Sequence, residues 1–208
     1  MTDNKHRPVL LIVAGPNGSG KTELTTNILE HNWAEGCEYI NPDFIARDKF
    51  GDWNSPEAVR SAAEYATARR YQLLAERQSI AFETVFSTSE KVDFVRQAIT
   101  AGYFVRIFFV GTETPEINAA RVARRVMEGG HDVPISKIIS RYSKSIANLA
   151  EVIAEVDRAY VYDNSIDDQA AQLQFRTERG EITKIYHQDR AWALALYNNL
   201  PDADFGGA

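Results

Sequence analysis

The residues best suited to chemistry form one uninterrupted stretch near the start of the chain. The stretch fits the pattern G-x-x-x-x-G-K-[S/T], in which glycines let several backbone N–H groups converge on one oxyanion. It consists of Gly15, Pro16, Asn17, Gly18, Ser19, Gly20, Lys21 and Thr22. In such a loop the lysine reaches the β- and γ-phosphates of a nucleoside triphosphate, and the hydroxyl that follows it binds Mg²⁺. The stretch therefore predicts a phosphate-binding loop (P-loop), with Lys21 on the phosphates and Thr22 on the metal.

A P-loop must join a buried strand to a helix, and the flanking sequence predicts both elements. Residues 9–13 form an apolar run typical of a buried strand. Residues 23–31 place apolar side chains at helical spacing, and the N-terminus of that helix adds its positive dipole end to the site. A glycine-rich turn without a ligand is the alternative, but it leaves eight matched positions in the correct context unexplained.

A second group of polar residues follows the next two predicted strands. Asp43 follows a short strand and lies at the edge where open α/β sheets bind ligands, so it is the candidate general base. Its alternative role is to cap the helix that follows. Glu83 interrupts the apolar strand over residues 79–87, where a carboxylate is costly unless it is paired or the strand is an exposed edge. With the hydroxyls of Thr84 and Ser87, Glu83 predicts a site that binds the acceptor of a transferred phosphoryl group.

Arginines form a third group, on either side of a glycine-rich loop that contains His131. Arg121 and Arg125 share one face of the predicted helix that reaches residue 127, whereas Arg124 lies about 100° away. Arg141 follows on the next helix. A solvated charged face is the default interpretation, but arginines beside a glycine-rich loop are also typical of a closing lid. His131 either contacts phosphate or caps the loop.

Predicted strands alternate with predicted helices along most of the chain, a pattern typical of a parallel sheet covered on both faces. We expect an α/β P-loop kinase fold with a mainly parallel five-stranded sheet. A β-hairpin over residues 172–177 and 181–187 and a last helix over 188–199 complete it. No linker or repeat interrupts the chain, so residues 1–208 are predicted to form one domain.

Composition limits the range of partners. The 208 residues carry a net charge of −6, which argues against a nucleic-acid binder that ignores sequence. No apolar run approaches the roughly 20 residues needed to span a membrane, and no signal-peptide core is present. Cys37 is the one cysteine, so no intramolecular disulfide forms. We therefore expect a cytoplasmic protein without membrane or nucleic-acid partners.

Other P-loop classes lack their usual signals here. A GTPase switch would show Asn-Lys-x-Asp after a late strand, but the one Asn-Lys pair, at residues 4 and 5, precedes the first strand. A motor ATPase would end its most apolar strand in a carboxylate, whereas this strand runs into Gly111 and Thr112. The class of P-loop protein that remains is one that transfers a phosphoryl group to a small acceptor.

The motifs together resemble those of the zeta-toxin family of P-loop kinases, over about residues 8–165. The resemblance is carried by the P-loop, Asn41-Pro42-Asp43, Phe82 to Ser87, Gly102-Tyr103, Arg124-Arg125 with the loop to Pro134, Arg141-Tyr142 and Asp163-Asn164-Ser165. It implies a fold similar to nucleotide and chloramphenicol kinases. It also implies phosphorylation of a hydroxyl of UDP-N-acetylglucosamine and an antitoxin partner.

The resemblance also implies a role for each matching residue. Lys21 and Thr22 would serve ATP and Mg²⁺, and Asp43 would deprotonate the sugar hydroxyl. Glu83 and Thr84 would bind the acceptor. Arg125 and Arg141 would stabilise the transferring phosphoryl group, with Arg124 competing for the role of Arg125.

Two other functions stay open at this point. One is a non-toxic kinase of another metabolite or antibiotic, similar to chloramphenicol phosphotransferase. The other is a nucleotide-binding regulator without catalysis, which the joint presence of Lys21, Asp43 and arginines disfavours.

Overall fold

The structure is a computed structural model and describes residues 7–51, 55–129 and 133–200. Within these residues seven strands form one sheet in the order β2-β3-β1-β4-β5-β6-β7. The strands are β1 (Val9–Ala14), β2 (Glu38–Ile40), β3 (Ile80–Thr84), β4 (Phe104–Gly111), β5 (Arg158–Asp163), β6 (Gln172–Glu178) and β7 (Glu181–Ile185). The α-helices are α1 (Lys21–Leu29), α2 (Pro42–Phe50), α3 (Pro56–Ala75), α4 (Ser89–Thr100), α5 (Pro115–Met127), α6 (Ile135–Val152) and α7 (Ala191–Tyr197). None of these helices combines the length and the apolar character needed to cross a membrane.

The five strands β1 to β5 pair in parallel, which confirms the predicted α/β fold with its mainly parallel five-stranded sheet. The C-terminal hairpin is present as well, but it is not a separate appendage. Strand β6 pairs antiparallel with β5, with Val161 opposite Phe175, so the hairpin extends the same sheet to seven strands.

The central strand β1 is apolar on both sides because helices cover both faces of the sheet. Successive side chains of a strand point to opposite faces. Leu10 and Ile12 therefore enter the larger core, whereas Leu11 and Val13 pack on the other side with Phe108 and other residues. The strand that carries the P-loop is thus fixed from both faces.

The C-terminal helix α7 closes the sheet above β4 and β5. The ring of Trp192 lies over Gly111, where an added Cβ would come within 2.4 Å of the indole. The indole N–H donates to the buried carboxylate of Asp163 at 2.9 Å, and Arg190 forms an ion pair with the same carboxylate. Helix α7 is therefore tied to the edge of the sheet from which the candidate site is built.

Candidate active site

The P-loop owes its shape to glycines that no other residue replaces without strain. Gly18 and Gly20 have φ angles of +77° and +86°, in the left-handed region that favours glycine. A Cβ on Gly20 would lie 2.2 Å from Nδ2 of Asn164, and one on Gly18 would lie 2.6 Å from the carbonyl oxygen of Asn118. Helix α1 begins at Lys21, two residues before the predicted start, without a side-chain cap. Its first N–H groups are therefore available to an anion.

Three side chains from distant elements hold the P-loop in place. Asn118 Nδ2 donates to the carbonyl of Asn17 at 2.6 Å, and Asn164 Nδ2 donates to the carbonyl of Ser19 at 2.9 Å. Arg141 Nη1 donates to Oδ1 of Asn17 at 3.3 Å. The loop is thus positioned from α5, from the end of β5 and from α6 at once.

Lys21 is buried and curls back onto its own loop, with Nζ donating to the carbonyl of Pro16 at 2.8 Å. Burial lowers the pKa of Lys21 from 10.5 to about 8. This pKa already includes the effect of the Glu83 carboxylate, which raises it, and that of the positive charge of Arg125, which lowers it. A buried ammonium ion with a lowered pKa gains stability when an anion arrives beside it.

The two candidate carboxylates lie at the ends of β2 and β3. Asn41 caps helix α2, since its Oδ1 accepts from the backbone N–H of Asp43 at 2.9 Å. The cap is therefore Asn41, and the exposed Asp43 carboxylate faces the cleft described below. Glu83 lies on β3, an inner strand, and accepts a hydrogen bond from Thr25 Oγ1 at 2.9 Å. The exposed-edge interpretation of Glu83 is therefore wrong.

One cleft of about 820 Å³ brings most of the predicted site residues together. The predicted residues that line it are Asn17, Gly18, Gly20, Lys21, Thr22, Asp43, Glu83, Thr84, Ser87, Arg121, Arg125 and Arg141. Gly15, Pro16 and Ser19 belong to the P-loop but not to the lining. A phosphate-binding loop, two carboxylates and several cations thus share one space.

The structure separates the roles of the neighbouring arginines. Arg125 lines this cleft, whereas Arg124 does not and forms an exposed ion pair with Asp167 at 3.1 Å. Arg121 reaches the cleft but also pairs with Asp167 at 2.7 Å and donates to the carbonyl of Asn164. Arg125 is therefore the helix α5 arginine whose charge acts on Lys21.

A second cleft of about 690 Å³ adjoins the first. The two share Gly20, Arg121 and Arg125. The second cleft is otherwise lined by Glu23 of α1, by Arg124 and Glu128 at the C-terminal end of α5, and by residues 164 and 166–170 after β5. A ligand bound at the P-loop has room on either side of it.

Sequence reasoning missed several residues of the cleft. Phe86 is buried with φ +59°, a left-handed conformation that is uncommon outside glycine, and its carbonyl accepts from Asn148 Nδ2. This turn presents Ser87 to the cleft. Thr67, Arg70 and Lys91 from α3 and α4 also line the cleft. For Arg70 a signal existed, because it is in helical phase with the buried positions 62, 66 and 73. His131 lies outside the described residues.

The parallel sheet, the P-loop between β1 and α1, and the cleft beyond it define the chain as a P-loop protein of the kinase type. The model of the Zeta toxin family matches residues 1–191, and the chain belongs to that family. A comparison with curated protein sequences gave no match.

Solved structures show the same fold at low sequence identity. A chain of the AvrRxo1-ORF1:AvrRxo1-ORF2 complex with sulphate ions is 18% identical with a TM-score of 0.68, over 96% of this chain and 65% of that one. A chain of the complex with ATP is 18% identical with a TM-score of 0.66, and the match covers 99% of this chain and 67% of that one. A chain of the PezAT toxin–antitoxin system of Streptococcus pneumoniae is 15% identical with a TM-score of 0.61, and the match covers 100% of this chain and 82% of that one. The chain thus spans just under two thirds of the matched chain in the sulphate-containing complex.

Proposed function

We propose that this protein is an ATP-dependent kinase that phosphorylates a hydroxyl group of a nucleotide sugar such as UDP-N-acetylglucosamine. The observation that carries the proposal is the single cleft in which Lys21, Asp43 and Arg125 meet. This set combines a phosphate cradle, a base and a cation, the three requirements of phosphoryl transfer to an alcohol.

ATP fits across the two adjoining clefts. Its triphosphate would lie on the P-loop, where the N-terminus of α1 and Lys21 meet the β- and γ-phosphates. Its nucleoside would lie in the second cleft, and the acceptor in the first, against Glu83, Thr84 and Ser87. The AvrRxo1 complex solved with ATP supports this choice of donor.

In the transfer step Asp43 accepts the proton of the acceptor hydroxyl. The acceptor oxygen then bonds to the γ-phosphorus, while the bond from that phosphorus to the β,γ-bridging oxygen breaks and leaves ADP. Arg125 and Arg141 balance the charge that spreads over the transferring oxygens, and the P-loop N–H groups hold the leaving diphosphate.

A magnesium ion fits the same site. The hydroxyl of Thr22 lies in the first turn of α1 and lines the cleft, and it would hold the ion together with phosphate oxygens of ATP. When bound, Mg²⁺ supplies positive charge to the β- and γ-phosphates.

A small antitoxin is the proposed protein partner, and the toxin of such a pair is the proposed biological role. The family membership and the likeness to the PezAT toxin–antitoxin system support this. Growth arrest on expression, relieved by a protein encoded beside this one, is the expected result; unaffected growth with active enzyme would favour a metabolic kinase.

The proposed reaction is tested by incubating the protein with ATP, Mg²⁺ and a panel of nucleotide sugars, nucleotides and free sugars, followed by mass spectrometry. We expect a gain of one phosphate on the UDP-N-acetylhexosamine. Phosphorylation of a different compound in the panel would identify that compound as the acceptor, and absence of turnover would refute the proposed kinase activity.

The variant Asp43→Asn tests whether Asp43 acts as the general base. General-base catalysis contributes about 10²- to 10⁴-fold, so we expect kcat to fall by at least a hundredfold with the ATP Kd little changed. Asp48→Asn is the matched control, because Asp48 lies on the same helix with its carboxylate exposed and paired to Arg47. Equal rates for Asp43→Asn and wild type would remove Asp43 from the mechanism.

A further inference from the structure

One face of the sheet carries helices over only part of its width. Helices α3, α4, α6 and α7 pack on the opposite face. On this face the helical residues that join the core, within the described part of the chain, come from α1 and from the 3₁₀ helix Asn32–Ala34. The ring of Trp33 in this short helix reaches Tyr160 on β5, at 5.7 Å between ring centroids. Strands β6 and β7 lie beyond Tyr160 and have no helix over this face in the described residues.

The strand register assigns the side chains of this uncovered part. Directly opposite residues of paired strands lie on the same face, and successive residues of one strand alternate between faces. Tyr160 therefore shares its face with Arg176 and Lys184. The residues that the register and the end of β7 place here, which we call the open face, are Arg106, Arg158, Tyr160, Tyr162, Leu173, Arg176, Glu178, Glu181, Lys184 and Tyr186.

The composition of the open face does not suit a surface that only contacts water. Such a sheet face is made mainly of polar residues, but this one carries three tyrosines and one leucine between its charges. Tyr162 and Leu173 are half-buried, and Tyr186 at the end of β7 is 37% exposed. Tyrosine and arginine are enriched where proteins bind one another. The composition therefore favours a docking surface over a solvated face.

Three cations of the open face have no acidic partner in the described part of the chain. Arg158 pairs with Glu178 at 3.1 Å. Arg106, Arg176 and Lys184 form no ion pair with any described residue, and the Nε atoms of the two arginines are buried without a hydrogen bond. Such donors are costly and are normally satisfied by water or a bound group. Four cations against two carboxylates give the open face a net charge of +2, in a chain of net charge −6.

The strand register also sets the spacing of the carboxylates that would satisfy the two arginines. Arg176 lies opposite Tyr160, and Arg106 lies opposite Arg158, two residues earlier on β5. With strands about 4.8 Å apart and about 3.3 Å per residue, the Cα atoms of Arg106 and Arg176 are about 12 Å apart, with Tyr160 between them. Residues i and i+4 of an extended chain are about 13 Å apart. An extended segment with acidic residues at this spacing therefore matches both arginines.

We propose that the open face is a docking surface for an acidic segment of a partner protein. The segment carries Asp or Glu at positions i and i+4, with an aromatic or apolar side chain between them. Each carboxylate accepts two parallel N–H bonds from a guanidinium, and Lys184 adds a mobile point charge. The intervening side chain covers the apolar surface of Tyr162 and Leu173.

A single-stranded nucleic acid fits these observations less well. It binds by stacking bases on free aromatic rings and by long-range attraction to its phosphates. Tyr160 is only 7% exposed, since its ring stacks on Phe108 at 4.8 Å and on Trp33. The ammonium group of Lys184 lies 4.7 Å from the ring centroid of Tyr186. The net charge of −6 repels a polyanion at long range, whereas a short acidic segment responds to charges within a Debye length of about 8 Å.

The test begins with a displayed library of random peptides of about twelve residues, selected on the full chain. We expect the bound peptides to carry two acidic residues four positions apart with an aromatic or apolar residue between them. Peptides that bind the double variant Arg176→Gln/Lys184→Gln equally well are discarded, because they bind elsewhere on the protein. The remaining peptides, titrated by fluorescence anisotropy, should bind the wild type with a Kd of about 10 µM or tighter.

Single substitutions measure the contribution of each cation. Arg176→Gln removes a charged group whose Nε is unsatisfied, and peptide binding should weaken by about tenfold or more. Lys184→Gln removes an exposed charge at the sheet edge without risk to the fold, and binding should weaken by about two- to fivefold. Arg60→Gln is the matched control, because Arg60 is exposed on α3, which covers the opposite face. It should bind the peptides as the wild type does.

Three outcomes would overturn the proposal. The first is that no acidic peptide survives the comparison with the double variant, or that both single variants bind as the wild type does. The second is that an oligouridylate of about twelve nucleotides binds more tightly than every selected peptide and loses affinity in the same variants, which would make the open face a nucleic-acid surface. The third is a wild-type dimer in sedimentation that Lys184→Gln abolishes, which would assign the face to a second copy of this chain.

The kinase assay is independent of this test. None of the residues of the open face lines either cleft, so Arg176→Gln and Lys184→Gln should keep wild-type turnover. Loss of peptide binding with unchanged turnover is the expected result. A failed kinase assay would leave the peptide titrations as decisive as before.

Discussion

If the site binds ATP as proposed, Lys21 should make that binding depend on pH in a range where ordinary lysines do not titrate. Its pKa is lowered to about 8, so in the free protein about nine tenths of Lys21 is charged at pH 7 and about one tenth at pH 9. Raising the pH across this interval should therefore weaken ATP binding.

The magnitude follows from the two states of the site. Bound phosphates favour the ammonium form and raise its pKa back toward the ordinary value. Binding at pH 9 must then include protonation of Lys21, which costs about 1.4 kcal/mol, or about tenfold in Kd, relative to pH 7.

The stability of the free protein should change in the opposite direction. A lysine whose pKa is lowered in the folded state disfavours folding at low pH, and the penalty disappears as the pH rises from about 8 toward 10.5. The free energy of unfolding should therefore increase by about 3 kcal/mol over this pH range, and Lys21→Met should not show this increase.

Calorimetric titration of ATP without acceptor, repeated from pH 7 to pH 9.5, provides the assay. Lys21→Met should bind weakly with little pH dependence. Arg125→Gln should raise the pKa of Lys21 and move the midpoint of the loss of ATP affinity to higher pH. Glu83→Gln should move this midpoint to lower pH, since the charges of Arg125 and Glu83 act on Lys21 with opposite signs. An unchanged Kd up to pH 9, or shifts in the reverse directions, would refute this account of the site.

Three further predictions concern single positions. Gly20→Ala places a Cβ 2.2 Å from Nδ2 of Asn164 and costs about 1–2 kcal/mol in backbone strain, so ATP affinity should fall about tenfold or more, and Asn164→Gly should restore part of it. Trp192→Ala should lower the free energy of unfolding in urea by about 3–5 kcal/mol, and a loss below about 1 kcal/mol would mean that α7 is not integral to the fold. Arg125→Gln should lower kcat by about a hundredfold, whereas Arg124→Gln at saturating ATP should leave kcat near wild type. Equal effects of the two substitutions on kcat would contradict the different roles proposed for these arginines.

The residues closest to the strand ends could be predicted because their positions follow from local rules. A glycine-rich stretch between a buried strand and a helix has few structural alternatives, so the sequence is enough to place Lys21 and Thr22 at a phosphate site. Asp43 and Glu83 follow neighbouring strands, and parallel strands bring their carboxyl ends to one edge. Helical phase was enough to place Arg121 and Arg125 on one face.

The remaining contacts depend on tertiary distances that no local rule supplies. Asn118 is 101 residues from Asn17, and Asn164 is 145 residues from Ser19, so neither P-loop anchor was visible as an anchor in the sequence. The pairing of the hairpin with β5 was likewise missed, because a hairpin pattern specifies its own turn but not its neighbour. The helical phase of Arg70 is the one local signal that points to its burial.

The hydrogen bond between Trp192 and Asp163 has a consequence for the order of folding. The P-loop is synthesised well before Asn164, which supports its Ser19 carbonyl and follows a strand whose end is held by the indole of Trp192. A nascent chain that emerges from the ribosome therefore lacks these supports until residue 192 is available to fold back. Nucleotide affinity should appear late in translation and in a single step, so that translation products truncated before Trp192 should not bind nucleotide.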